Sequence, residues 1–202
     1  MHHKSIRTLV MAGCLASAGL LALAGTALAE PASESMLSNT CAGCHGTDGV
    51  AAGPAMPSIA NMDAKIMENL LMQFKSGERP STIMGRIATG YEDAELKAIA
   101  QHFSKLPWKS TAVPTDPKLV AEGAKLHKSE KCNSCHEEDG RTQSAEDGVM
   151  RQAGQIPHYL FLQMVNYQKQ EYPDVPKKMM SRLSKLSEKD LQALAHFYAS
   201  QK

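Results

Sequence analysis

The chain of 202 residues carries 22 Lys and Arg against 21 Asp and Glu, is 43% hydrophobic and only 5% aromatic, and contains five cysteines. This balance suits one or two small folded domains and excludes a nucleic-acid binder that works by bulk charge.

In chain order, residues 1–29 read as an export signal: His2, His3, Lys4 and Arg7 form a positive start, Leu9 to Leu28 is almost entirely apolar or small, and Ala27-Leu28-Ala29 offers the small-x-small cleavage pattern. A membrane anchor, or a lipid on Cys14, is the alternative for the same stretch. Cleavage removes Lys4 and Arg7 but no acid, leaving a near-neutral chain that begins at about Glu30. No later apolar run is long enough to cross a bilayer, so the mature form is expected to carry no membrane anchor.

Next comes Cys41-Ala42-Gly43-Cys44-His45, then a Gly-rich loop. Ile66, Met67, Leu70, Leu71 and Phe74 recur at helical spacing until Gly77, and Leu96, Ile99, Ala100 and Phe103 repeat the pattern before Pro107. Residues 107–117 hold Pro107, Pro114 and Pro117 without helical periodicity and read as an extended linker. Cys132-Asn133-Ser134-Cys135-His136 follows, then a helix opened by Pro157 with Leu160, Phe161, Met164 and Tyr167. Ser187 to Asp190 caps a last helix bearing Leu191, Leu194, Ala195 and Tyr198. No segment alternates as a strand does, so the class is all-α. Laying Cys41 on Cys132 repeats one order of elements, so the chain reads as an internal duplication with domains at 30–106 and 118–202.

With Cys14 removed in the leader, every remaining cysteine lies in a C-x-x-C-H motif. Two thiols one helical turn apart can each form a thioether to a porphyrin vinyl group, and the adjacent imidazole then reaches the iron. Cys41, Cys44, Cys132 and Cys135 are therefore expected to attach two c-type haems, with His45 and His136 as proximal ligands. A zinc site shared by all four cysteines would have to span far more chain than zinc ribbons do, and a dithiol redox site lacks its βαβ setting. Each half is small and poor in aromatics, so a buried haem would also serve as its core.

The sixth ligand decides between electron transfer and small-molecule binding. Met67, Met72 and Met164 fit apolar helical stripes and read as core. Met84 and the Met179-Met180 pair fall between the two helices of their halves, in stretches that read as irregular, and are the distal candidates. Spacing leaves Met179 and Met180 both open, and His102, His127, His158 and His196 allow a bis-histidine alternative. Arg86 and Arg182 read as solvated arginines, with haem propionates as the alternative partner.

Gly53-Pro54-Ala55, Phe74-Lys75-Ser76-Gly77-Glu78, Ser81-Thr82-Ile83-Met84-Gly85-Arg86, Gly123-Ala124-Lys125-Leu126-His127, Ala153-Gly154-Gln155 and Lys177-Lys178-Met179, together with the motif Cys41 to Thr47, resemble the dihaem cytochrome subunit of flavocytochrome c sulfide dehydrogenase. The resemblance spans the mature chain and implies two tandem class I cytochrome c-like domains. It implies Met84 as one distal ligand and the methionine of Lys-Lys-Met, Met179, as the other. Pro54 matches the residue whose carbonyl accepts the proximal N–H in many cytochromes c, and no proline stands at the corresponding place near Met150. The resemblance further implies a periplasmic location, a sulfide-oxidising flavoprotein subunit that alone holds FAD, and a soluble cytochrome c as acceptor. A free-standing dihaem carrier to a terminal oxidase is the alternative. A dihaem peroxidase or thiosulfate-oxidising enzyme would need an open or unusual axial site, against two available methionines.

Overall fold

The computed structural model describes residues 32–169, 172 and 175–202. The expected export signal, with Cys14, lies outside the described residues. Residues from Ser33 to Lys202 form one compact unit.

Among the described residues the first half has five helices: α1 (Glu34–Ser38), α2 (Ala42–His45), α3 (Ala64–Ser76), α4 (Met84–Ala88) and α5 (Asp93–Ser104). The second half has α6 (Pro117–Ser129), α7 (Asn133–His136), α8 (Pro157–Gln168), α9 (Lys177–Leu183) and α10 (Glu188–Ser200). The local reasons are those of helix ends. Asp63 and Asp116 accept the first N–H groups of α3 and α6, Gly77 ends α3 in the left-handed region, and Ser187 with Asp190 forms a capping box on α10.

Packing repeats across the halves. In the first, α5 lies on α1 and α3 while α4 lies on α3; in the second, α10 lies on α6 and α8 while α9 lies on α8. One core gathers Met67, Leu96, Ile99, Ala100 and Phe103. The other gathers Leu160, Met164, Leu183, Leu191, Leu194, Phe197 and Tyr198. At the crossing of α6 and α10, any Cβ on Gly123 would overlap the Ala193 carbonyl, so only glycine permits that approach.

Two sequence expectations about helices need correction. The segments holding Met84 and Met179-Met180 are short helices, not irregular chain, and each packs on the preceding long helix. Pro117, placed in the linker, is the first residue of α6, where proline's missing N–H costs nothing. Helix α6 carries a regular apolar face of Leu119, Val120, Gly123, Ala124 and Leu126, with the fully buried His127 as its one polar member.

The halves meet through two side-chain amides, Gln143 half-buried and Gln155 buried. Gln143 accepts from the Asp63 N–H at 2.9 Å and donates to the Asn61 carbonyl at 2.8 Å. Gln155 accepts from the Ser58 N–H at 2.8 Å and donates to the Ser58 carbonyl at 2.9 Å. The intervening chain is strapped down rather than free: the Thr111 N–H donates to the Gly154 carbonyl at 3.0 Å, and Arg151 stacks on the Trp108 ring at 4.7 Å.

Candidate functional site

Each C-x-x-C-H motif is one helical turn. The His45 N–H donates to the Cys41 carbonyl at 2.9 Å and the His136 N–H to the Cys132 carbonyl at 3.0 Å. That turn sets the cysteines of each pair on one side, three residues apart. All four are free thiols, the first of each pair half-buried and the second exposed. Burial pushes the Cys41 and Cys132 thiols up from their ordinary range.

His45 donates from Nδ1 to the Pro57 carbonyl at 2.8 Å. A carbonyl only accepts, so Nδ1 holds the proton and Nε2 keeps its lone pair for a metal. Burial lowers the His45 pKa, partly opposed by this bond, and burial aided by neighbouring His127 lowers that of His136 to about 4. Both shifts favour the neutral imidazole, the form that ligates a metal.

The expected carbonyl is that of Pro54, and Pro57 supplies it instead. The reason is a fold-back: the Ile59 and Ala60 N–H groups both bond to the Gly49 carbonyl, which brings Pro57 to the motif. The second half repeats the fold-back with Gln152 and Ala153 on the Gly140 carbonyl, so Met150 takes the place of Pro57. There the Met150 carbonyl accepts from Gln152 Nε2 at 2.9 Å, and the buried His136 Nδ1 has no hydrogen-bond partner.

A different device holds the second motif. His127 Nε2–H donates to the Glu137 carbonyl at 2.7 Å, while Nδ1 accepts from the Tyr198 hydroxyl at 2.9 Å. Glu137 sits at φ 53°, ψ −162°, a region favourable only to glycine, and the residue at the same place in the first half is Gly46, at φ 80°. Arg182 donates to the Lys131 carbonyl and to the Ser134 hydroxyl, tying α9 to the same turn rather than standing solvated.

Met84 opens α4 and is half-buried; Met179 and Met180 lie in α9, also half-buried, with Met179 packed against the second core. The structure thus unites Cys41, Cys44 and His45, and separately Cys132, Cys135 and His136, and puts the methionine candidates on matching short helices. Of the histidine alternatives, His127 has both ring nitrogens engaged and His196 accepts from the Asp116 N–H at 3.0 Å. His158 stacks on Phe161, and His102 lies edge-on to Phe103.

These residues fit a covalently held porphyrin: free thiol pairs, neutral imidazoles beside them, and apolar side chains on α3 and α8 left half-covered at Leu70, Leu71, Phe74, Phe161 and Val165. Among the described residues no cluster of three or more His, Cys, Asp or Glu side chains forms. Pro57, Gln152 and the Glu137 clamp do not follow from the sequence reading. The signals for them are a second proline three residues after Pro54 and a non-glycine where Gly46 has its counterpart.

No family model matches the chain. It is 40% identical over 109 residues to the cytochrome subunit of sulfide dehydrogenase of Chlorobaculum tepidum, covering 48% of this chain and 98% of that protein. It is 29% identical over 188 residues to cytochrome c4 of Pseudomonas aeruginosa, covering 89% of this chain and 90% of that one. Its fold matches reduced recombinant cytochrome c4 from Pseudomonas stutzeri with a TM-score of 0.75 at 22% identity, over 84% of this chain and 97% of that chain. The fold is accordingly two class I cytochrome c domains in tandem. Since one relative aligns over nearly its whole length and another across both halves, the chain belongs to the dihaem cytochrome c4-like family.

Proposed function

We propose that this dihaem electron-transfer protein works in the periplasm, accepting electrons from a sulfide-oxidising flavoprotein subunit and passing them to a soluble cytochrome c. Two covalently bound haem c groups supply one-electron ferric/ferrous couples. Cys41 and Cys44 would hold the first by thioethers, with His45 and Met84 as its iron ligands; Cys132 and Cys135 would hold the second, with His136 and Met179. The neutral imidazoles give a nitrogen lone pair without a proton to expel. Met84 and Met179 would each offer a thioether, a soft donor that favours ferrous iron and would leave small molecules no position to bind. Oxidation of sulfide belongs to the partner, which alone carries FAD.

The observation that carries this reading is the 40% identity to a sulfide dehydrogenase cytochrome along 98% of that protein. Among the described residues no helix is long and apolar enough to cross a membrane. A second reading, a free carrier to a terminal oxidase, is favoured by the cytochrome c4 relative that spans both halves. Purification from the native source separates them. A stable complex with a yellow flavoprotein whose haems are reduced by sulfide supports the subunit; a cytochrome free of flavin and inert to sulfide supports the carrier.

A further inference from the structure

We propose that Gln155, a residue of the second half, tunes the reduction potential of the first half's haem through a single peptide group. The group is the amide joining Pro57 to Ser58. Its carbonyl accepts from His45 Nδ1–H at 2.8 Å, and its N–H donates to Gln155 Oε1 at 2.8 Å. One conjugated amide therefore stands between the imidazole and a side chain from the other domain.

The physical consequence follows from amide resonance. A hydrogen bond taken at N–H drives electron density onto the carbonyl oxygen, and bonds in such a chain strengthen one another in a low-dielectric interior. Ser58 and Gln155 are 1% and 4% exposed, so bulk solvent hardly reaches these groups. A stronger acceptor at Pro57 pulls harder on Nδ1–H and makes Nε2 a more basic ligand. Ferric iron gains more from a basic ligand than ferrous iron does, so the contact lowers the potential.

The amide is fixed at every other point. Gln155 Nε2 donates to the Ser58 carbonyl at 2.9 Å, Oε1 also accepts from the Ile156 N–H at 3.0 Å, and Ser58 Oγ accepts from the Ala51 N–H at 3.1 Å. Gln143 grips the same loop at Asn61 and Asp63 without touching this amide. The second half has no such pathway, because His136 Nδ1 has no partner. Gln155 is thus a positioning residue for an iron ligand in the other domain, and docking of the domains is itself an input to the first haem. The inference rests on His45 ligating iron.

The test uses the full-length holoprotein with Gln155→Met, Gln155→Glu and, as a control that loosens the same interface, Gln143→Leu. Spectroelectrochemistry gives the midpoint of each haem, and nitrogen-resolved NMR of the reduced protein follows the His45 Nδ1–H. Gln155→Met is expected to raise the first haem's midpoint, leave the second unchanged and move the Nδ1–H signal toward a weaker hydrogen bond. Gln155→Glu, at pH 8, is expected to lower that midpoint, and Gln143→Leu to leave both haems in place. The proposal is overturned if Gln155→Met shifts neither haem, shifts both together, or does no more than Gln143→Leu. Should Gln155→Met not fold, Gln155→Glu decides: an unmoved first midpoint overturns the proposal. If His45 were not the ligand, its ring protons would lack the porphyrin-induced upfield shift already in the unaltered protein, which marks failure of the ligand assignment instead.

Discussion

The two halves share their order of helices and their packing pairs yet differ in what surrounds the motif histidine. In the first, Gly46 makes the exit from the motif without strain and the Pro57 carbonyl takes the imidazole proton. In the second, Glu137 occupies a glycine conformation, the Met150 carbonyl is taken by Gln152, and a buried His127–Tyr198 pair braces the turn from behind. Duplication has kept the main-chain fold-back on Gly49 and Gly140 while the side-chain bonds around it diverged. What differs between the two motifs is therefore the surroundings of the Cys-x-x-Cys-His turn, not the turn itself, which is a means of giving two identical cofactors unequal properties.

The largest break in this comparison comes from the distal side. Met84→Ala and Met179→Ala are each expected to abolish about half of the sulfur-to-iron charge-transfer absorption of the oxidised protein, and Met180→Ala to leave it intact, as read by near-infrared-edge spectra.

Next in size is His127→Leu, which affects the second half alone. It leaves the Tyr198 hydroxyl and the Glu137 carbonyl without their buried partner, a loss of about 2–3 kcal/mol. Denaturant unfolding followed at the second haem is expected to come earlier, with the first haem's transition less affected.

Glu137→Gly tests the strain in the opposite direction. Replacing a side chain that φ 53° disfavours is expected to stabilise the second half by about 1 kcal/mol, and an unchanged or lowered unfolding midpoint would contradict strain at that residue.

The smallest effect concerns α10. Hydrogen bonds from the Ser187 hydroxyl and N–H hold the Asp190 carboxyl below its ordinary range. A depressed folded-state pKa means stability that is present above the unfolded value of about 3.9 and lost as pH falls through the folded one. Asp190→Asn should therefore flatten the acid limb of the second half's pH–stability curve and leave the first half's alone.

Much of this is legible in the letters because the relevant physics is local. Thiol and imidazole spacing, helical periodicity in residues 66–74 and 96–103, and the Ser187 capping box each depend on residues within a turn or two of one another, and the helices appear where those patterns put them. The contacts that distinguish the halves depend on residues far apart in sequence. His127 meets Tyr198 across the α6–α10 crossing, and Ser58 meets Gln155 across the duplication, with no periodic signature for either. The exchange of Pro54 for Pro57 shows the same limit: which proline reaches His45 is decided by the fold-back onto Gly49, not by distance along the chain.

The central claim is one porphyrin covalently fixed by each motif, and peptide mass spectrometry of the proteolysed holoprotein tests it most directly. The expected result is that the fragment containing Cys41 and Cys44 and the fragment containing Cys132 and Cys135 each carry the added mass of one haem. Recovery of either fragment at the mass of its bare peptide, with both thiols open to alkylation, would contradict it.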